Sequence, residues 1–173
     1  MRSNHFLQTV KPLNFMRKST IASGGLLKKS VAIEVISLLF VILFLYTGIS
    51  KLMEYGVFKE QLAQSPVLKP IAPVIAWGLP LTELAVAVLT FIPNYRLSGL
   101  YVSLVLMVLF TGYIIAILSF SKELPCSCGG VLADLSWPEH LVFNGSYIAL
   151  ALTGILLGRQ LKAAASAKET SVS

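Results

Sequence analysis

The sequence predicts an all-α integral membrane protein: a bundle of four transmembrane helices with both termini on the cytoplasmic side. Three observations predict it. The chain of 173 residues is 55% hydrophobic and 13% charged, about half the charge share of an ordinary soluble domain. That charge is unevenly spread, and long stretches hold none, which is the pattern of membrane spans and not of a greasy soluble core. Finally, the apolar residues fall into four runs of about 20 residues or more, the length a helix needs to cross about 30 Å of hydrocarbon.

The runs cover about residues 31–53, 70–92, 97–120 and 139–158. None alternates as a barrel strand would, so each must satisfy its own backbone as a helix. The net charge of +6 is concentrated before the first run, where Arg2, Lys11, Arg17, Lys18, Lys28 and Lys29 stand with no acidic residue. Such a tail sets orientation and touches anionic lipid headgroups; it does not indicate a nucleic-acid partner. Residues 1–30 show no sustained period and are expected to form a basic, unstructured cytoplasmic tail. Residues 31–158 then form the membrane domain, and residues 159–173 a second cytoplasmic tail that frays. The first run is too long for a signal peptide and ends at no small-residue cleavage site, so it is expected to stay as an uncleaved helix.

Basic residues orient the bundle. With the N-terminus inside, Arg17, Lys18, Lys28, Lys29, Arg96, Arg159, Lys162 and Lys168 lie near inner span ends, against Lys51, Lys59, Lys69 and Lys122 outside. That asymmetry obeys the positive-inside rule. The turn Pro93-Asn94-Tyr95-Arg96 is very short, so the second and third helices are antiparallel neighbours. Two outer loops result. In residues 54–69, Glu54, Phe58, Gln61 and Leu62 are spaced as on a short surface helix. Residues 121–138 hold both cysteines of the chain.

The cysteine loop reads Leu124-Pro125-Cys126-Ser127-Cys128-Gly129-Gly130. On the outer face of a bacterial cytoplasmic membrane the surroundings are oxidising, so these thiols pair or do redox work. A bridge across Ser127 would be strained and therefore easily reduced. Pro125 and the two glycines suit such a turn. Two other readings stay open. One is an inert local staple, although so small a ring removes little chain entropy. The other is a copper(I) or zinc site with His140, which is one ligand short for structural zinc.

Polar residues inside the spans are the remaining candidates. Glu83 lies near the middle of the second helix, beyond Gly78 and Pro80, where a carboxylate is costly unless protonated or paired. Lys51, at the outer end of the first helix, is a candidate partner, and plain snorkelling to the surface is its bland alternative. For Glu83 the bland alternative is a structural bond that locks the bundle. Glu34 is near the inner interface and is expected to reach water. Ser136-Trp137-Pro138-Glu139 fits a capping box with proline in the first turn, and Trp137 falls at the membrane interface. His140, Asn144 and Tyr147 share one helix face. If that face looks inward, His140 lies beneath the cysteine loop and can hold a proton for a leaving thiolate. Its alternative is a histidine bonded to loop backbone.

Four segments together resemble a known family: Thr47-Gly48-Ile49-Ser50-Lys51-Leu52, Leu79-Pro80-Leu81-Thr82-Glu83-Leu84, Cys126-Ser127-Cys128-Gly129-Gly130, and Leu135-Ser136-Trp137 through His140 to Asn144. They are similar to the methylamine-utilisation MauE family, within the DoxX-like four-helix membrane proteins. The likeness covers about residues 31–158. The first two segments are shared across DoxX-like proteins; the cysteine loop is what points to MauE. The resemblance implies disulfide chemistry outside the membrane, in maturing methylamine dehydrogenase, with Cys126 and Cys128 as the redox pair. Lys51, Glu83, Trp137, His140 and Asn144 would be supporting positions. Implied partners are the lipid bilayer, a periplasmic thioredoxin-like protein and a disulfide-rich client. Apart from the resemblance, the buried carboxylate of Glu83 makes a quinone a candidate cofactor. Competing readings are a non-enzymatic assembly factor, a subunit of a quinone-linked complex, and copper(I) handling by the two thiols.

Overall fold

The computed structural model describes residues 5–65, 68–120 and 136–170. Its elements are all helical: α1 (His5–Met53), α2 (Tyr55–Gln64), a short 3-10 turn (Lys69–Ile71), α3 (Ala72–Phe91), α4 (Arg96–Phe120) and α5 (Trp137–Thr170). Among the described residues, four helices are long and apolar enough to cross a membrane, over Gly25–Met53, Lys69–Phe91, Arg96–Ala116 and Pro138–Ala167. The shortest holds 21 residues, about 32 Å at the helical rise of about 1.5 Å per residue. A lipid bilayer is therefore the surroundings of this chain.

α1 packs against α3 and α5, and α4 packs against the same two from the other side. The four long helices thus form a ring in the order α1, α3, α4, α5. Its centre is filled by Phe40 and Phe44 of α1, Val86 and Ala87 of α3, Leu100 and Met107 of α4, and Ala151 of α5. Large apolar side chains on the outside, such as Ile42, Val105 and Leu152, are the lipid-facing surface. Apolar lipid gives helices no hydrophobic reason to associate, so close backbone approach at small residues carries much of the packing. Gly99 shows the limit: a Cβ there would stand 2.6 Å from Thr90 Cα. α4 therefore lies directly on α3 beside the four-residue turn. Several hydroxyls within the spans bond back to their own helix, as with Thr90 to the Val86 carbonyl (2.8 Å) and Ser103 to the Gly99 carbonyl (2.8 Å), which satisfies them without water.

The short surface helix expected in residues 54–69 is present as α2. Its Phe58 and Leu62 are buried on Ala72 and Ala76 of α3, so α2 lies over the end of the bundle that α1 leaves and α3 begins. Two expectations differ from the structure. α1 begins at His5, where the absence of a sustained period predicted no regular structure before residue 31. α5 continues to Thr170, well past the predicted end at 158. Both extensions have one cause. Nucleation is already provided by the span, and each further residue adds a hydrogen bond through good helix formers such as Leu26-Leu27-Lys28-Lys29 and Leu161-Lys162-Ala163-Ala164.

A candidate site at the loop end of the bundle

The two ends of the ring differ in their connections. At the turn end, α3 and α4 are joined by residues 92–95. At the loop end lie α2 and the ends of α4 and α5 that residues 121–135 join. Cys126 and Cys128 lie outside the described residues. The other sequence-predicted residues can be placed, and most of them converge.

Lys51 and Glu83 form a buried ion pair. Lys51 Nζ donates to Glu83 Oε1 at 2.6 Å, and the side chains are 9% and 1% exposed. Helix geometry accounts for the meeting. Side chains lean toward the N-terminus of their own helix, and α1 and α3 run in opposite directions. Lys51 therefore reaches inward from the loop end while Glu83 reaches back toward it. Gly48 lets the helices approach, since a Cβ there would stand 3.2 Å from the Pro80 carbonyl oxygen. The Lys51 ammonium also lies 5.9 Å from the Phe58 ring centroid and 5.8 Å from that of Phe110, within cation–π range. Two charges at this depth hold only because they neutralise each other. Glu83 Oε2, by contrast, has no hydrogen-bond partner among the described residues.

The pair borders a cavity of about 490 Å³ with walls from all five helices. His140 and Asn144 of α5 line it together with Lys51, Glu83 and Thr47, and each is 6% exposed. Tyr113 of α4 also lines it. The remaining wall is apolar and aromatic, with Phe44, Phe58, Phe110 and Phe143. The face of His140, Asn144 and Tyr147 does look inward: Tyr147 packs edge-on against Phe40 with ring centroids 5.2 Å apart.

α5 starts as its sequence foretells. The Glu139 carboxylate turns back to accept from the Ser136 backbone N–H and from its hydroxyl, both at 2.7 Å. The His140 N–H donates to the Ser136 carbonyl at 3.0 Å. Trp137 is the first residue of the helix. This start sets the register that places His140 and Asn144 one turn apart on the cavity wall.

Lys51, Glu83, His140 and Asn144 thus come together around one chamber. Sequence reasoning missed the contribution of α4, whose Met107, Phe110 and Tyr113 form a wall. A hydroxyl-bearing aromatic inside the third apolar run is the one signal that could have marked Tyr113. Among the described residues, no group of three metal-ligating side chains comes together. Chemically, the chamber offers an ammonium that can donate, a carboxylate oxygen that can accept, and an imidazole, all in apolar surroundings.

Comparison with curated proteins and with solved structures gives no match. A family model does match, from the first long helix into the last: the methylamine utilisation protein MauE family, over residues 29–157. With four helices able to cross the bilayer and most of its length within that match, this multi-pass membrane protein belongs to the MauE family.

Proposed function

We propose that the protein carries out thiol–disulfide exchange at the outer face of the bacterial cytoplasmic membrane, with Cys126 and Cys128 as the exchanging pair. One thiolate attacks a partner's disulfide and forms a mixed disulfide. The second thiolate then displaces the partner, leaving a Cys126–Cys128 bridge and two thiols on the partner; the reverse sequence hands the bridge on. The partner is a thioredoxin-like protein or a disulfide-rich client. The family's association with methylamine utilisation makes methylamine dehydrogenase the first client to test.

The observation that carries this reading is the position of the chamber. The helix ends that bound it, at Ile114 and His140, are the ends joined by the segment that holds both cysteines. His140 is the proton-holding group of the exchange in this reading, since an imidazole can both accept a proton and give it back. Lys51 and Glu83 keep that end of the bundle in one arrangement.

Trapping tests the exchange. Cys128→Ser is expected to accumulate a mixed disulfide through Cys126, visible as a reductant-sensitive shift on a non-reducing gel. If neither single serine variant traps a partner, and the double variant supports growth on methylamine as well as the parent, the exchange reading is wrong.

A further inference from the structure

From the chamber itself, we infer that it is a binding site for a membrane-soluble quinol or quinone, held by Lys51 and Glu83. Four features of the site converge on that class. The cavity of about 490 Å³ lies within the usual range for a small-molecule site, about 300–1,000 Å³. Its walls are aromatic on several sides, through Phe44, Phe58, Phe110 and Phe143, which favours a planar ring over a flexible acyl chain.

The polar groups then specify what the ring must carry. Glu83 is fully buried at 0% exposure, yet its Oε2 receives no donor among the described residues; the Thr47 hydroxyl beside the carboxylate gives its proton to the Leu43 carbonyl at 3.0 Å. A buried carboxylate oxygen in that state is costly unless a donor reaches it, and an occupant with an O–H supplies one. Lys51 uses one of its three N–H donors on Glu83 Oε1 at 2.6 Å, which leaves donors for an acceptor oxygen. A head with an O–H beside a ring, or a C=O in its place, satisfies both.

Access comes from the bilayer. Leu109 lines the chamber and is 61% exposed in the middle of a membrane-spanning helix, so the rim of the cavity faces hydrocarbon. An isoprenoid-tailed ring can arrive through that rim.

Binding at this chamber is independent of the thiol chemistry proposed above, and its test reads binding alone. The full chain is purified in mild detergent and titrated by calorimetry with a decyl-substituted benzoquinol and with its oxidised quinone. Oleate and phosphatidylglycerol are titrated separately. The expected result is saturable binding of the quinol and quinone near one per chain, with at least tenfold weaker binding of the two lipids. Lys51→Met is expected to weaken both forms of the ring at least tenfold. Glu83→Gln is expected to weaken the quinol more than the quinone, because only the quinol donates to Oε2. Leu79→Trp, which narrows the cavity while keeping both Lys51 and Glu83, is expected to abolish binding, while Ser146→Ala on the outer surface leaves it intact. The inference is overturned if the parent chain binds neither ring form, if it binds oleate or phosphatidylglycerol as tightly, or if Leu79→Trp binds as the parent does.

Discussion

The two ends of this bundle solve the same problem in opposite ways. At the turn end, four residues join α3 to α4, and Gly99 brings backbone against backbone, so close that a Cβ at Gly99 would stand 2.6 Å from Thr90 Cα. Charges there stay near the surface: Arg96 and Glu34 stand 3.6 Å apart with side chains 23% and 58% exposed. At the loop end, α2 lies over the bundle, and a chamber opens among the helices. Charges there are buried and in direct contact, with Lys51 and Glu83 at 2.6 Å. The difference teaches that a short connection enforces close backbone packing, while the end that carries α2 has room for polar groups inside. A pair of opposite charges is a surface detail at one end and a structural commitment at the other.

That contrast can be broken by mutation, and the largest effect belongs to the loop end. Lys51→Met leaves Glu83 buried without its counter-charge and is expected to cost about 3–5 kcal/mol, read as unfolding in mixed detergent and SDS micelles. Adding Glu83→Gln to it should recover a large part of that loss; equal losses in the single and double variants would show that the charges do not depend on each other. Next comes the turn end. Gly99→Leu forces side-chain atoms into the space held by Thr90, with an expected cost of about 1–3 kcal/mol from overpacking, and no recovery from any charge change. The smallest effect is expected from Glu34→Gln, which removes a solvent-screened pair and should shift stability by less than about 1 kcal/mol. Should Glu34→Gln rival Lys51→Met, the two ends would not differ as described.

Much of this was legible in the chain because membrane physics simplifies reading. Four apolar runs of sufficient length can only be helices, and Phe58 and Leu62 marked α2 by their spacing. The buried charges were conspicuous for the same reason, so Glu83 pointed to a partner and Lys51 was within reach. The helical face of His140 and Asn144 was legible too, although only packing against Phe40 shows that it looks inward. The chamber was not legible. Met107, Phe110 and Ile114 sit in a run that is apolar all round, so no period distinguishes a wall facing a cavity from one facing lipid. The reach of α1 to His5 and of α5 to Thr170 was hidden because polar helix extensions carry no hydrophobic period either.

The proposed exchange requires the loop end to face the oxidising side of the membrane and the turn end to face the cytoplasm. A membrane-impermeant maleimide tests this directly in reduced cells whose outer barrier has been opened. The native chain, through Cys126 and Cys128, should be labelled before the inner membrane is lysed. A variant with both cysteines changed to serine and Asn94→Cys in the exposed turn should be labelled only afterwards. The reverse order would contradict the orientation, and with it the exchange chemistry that needs an oxidising compartment.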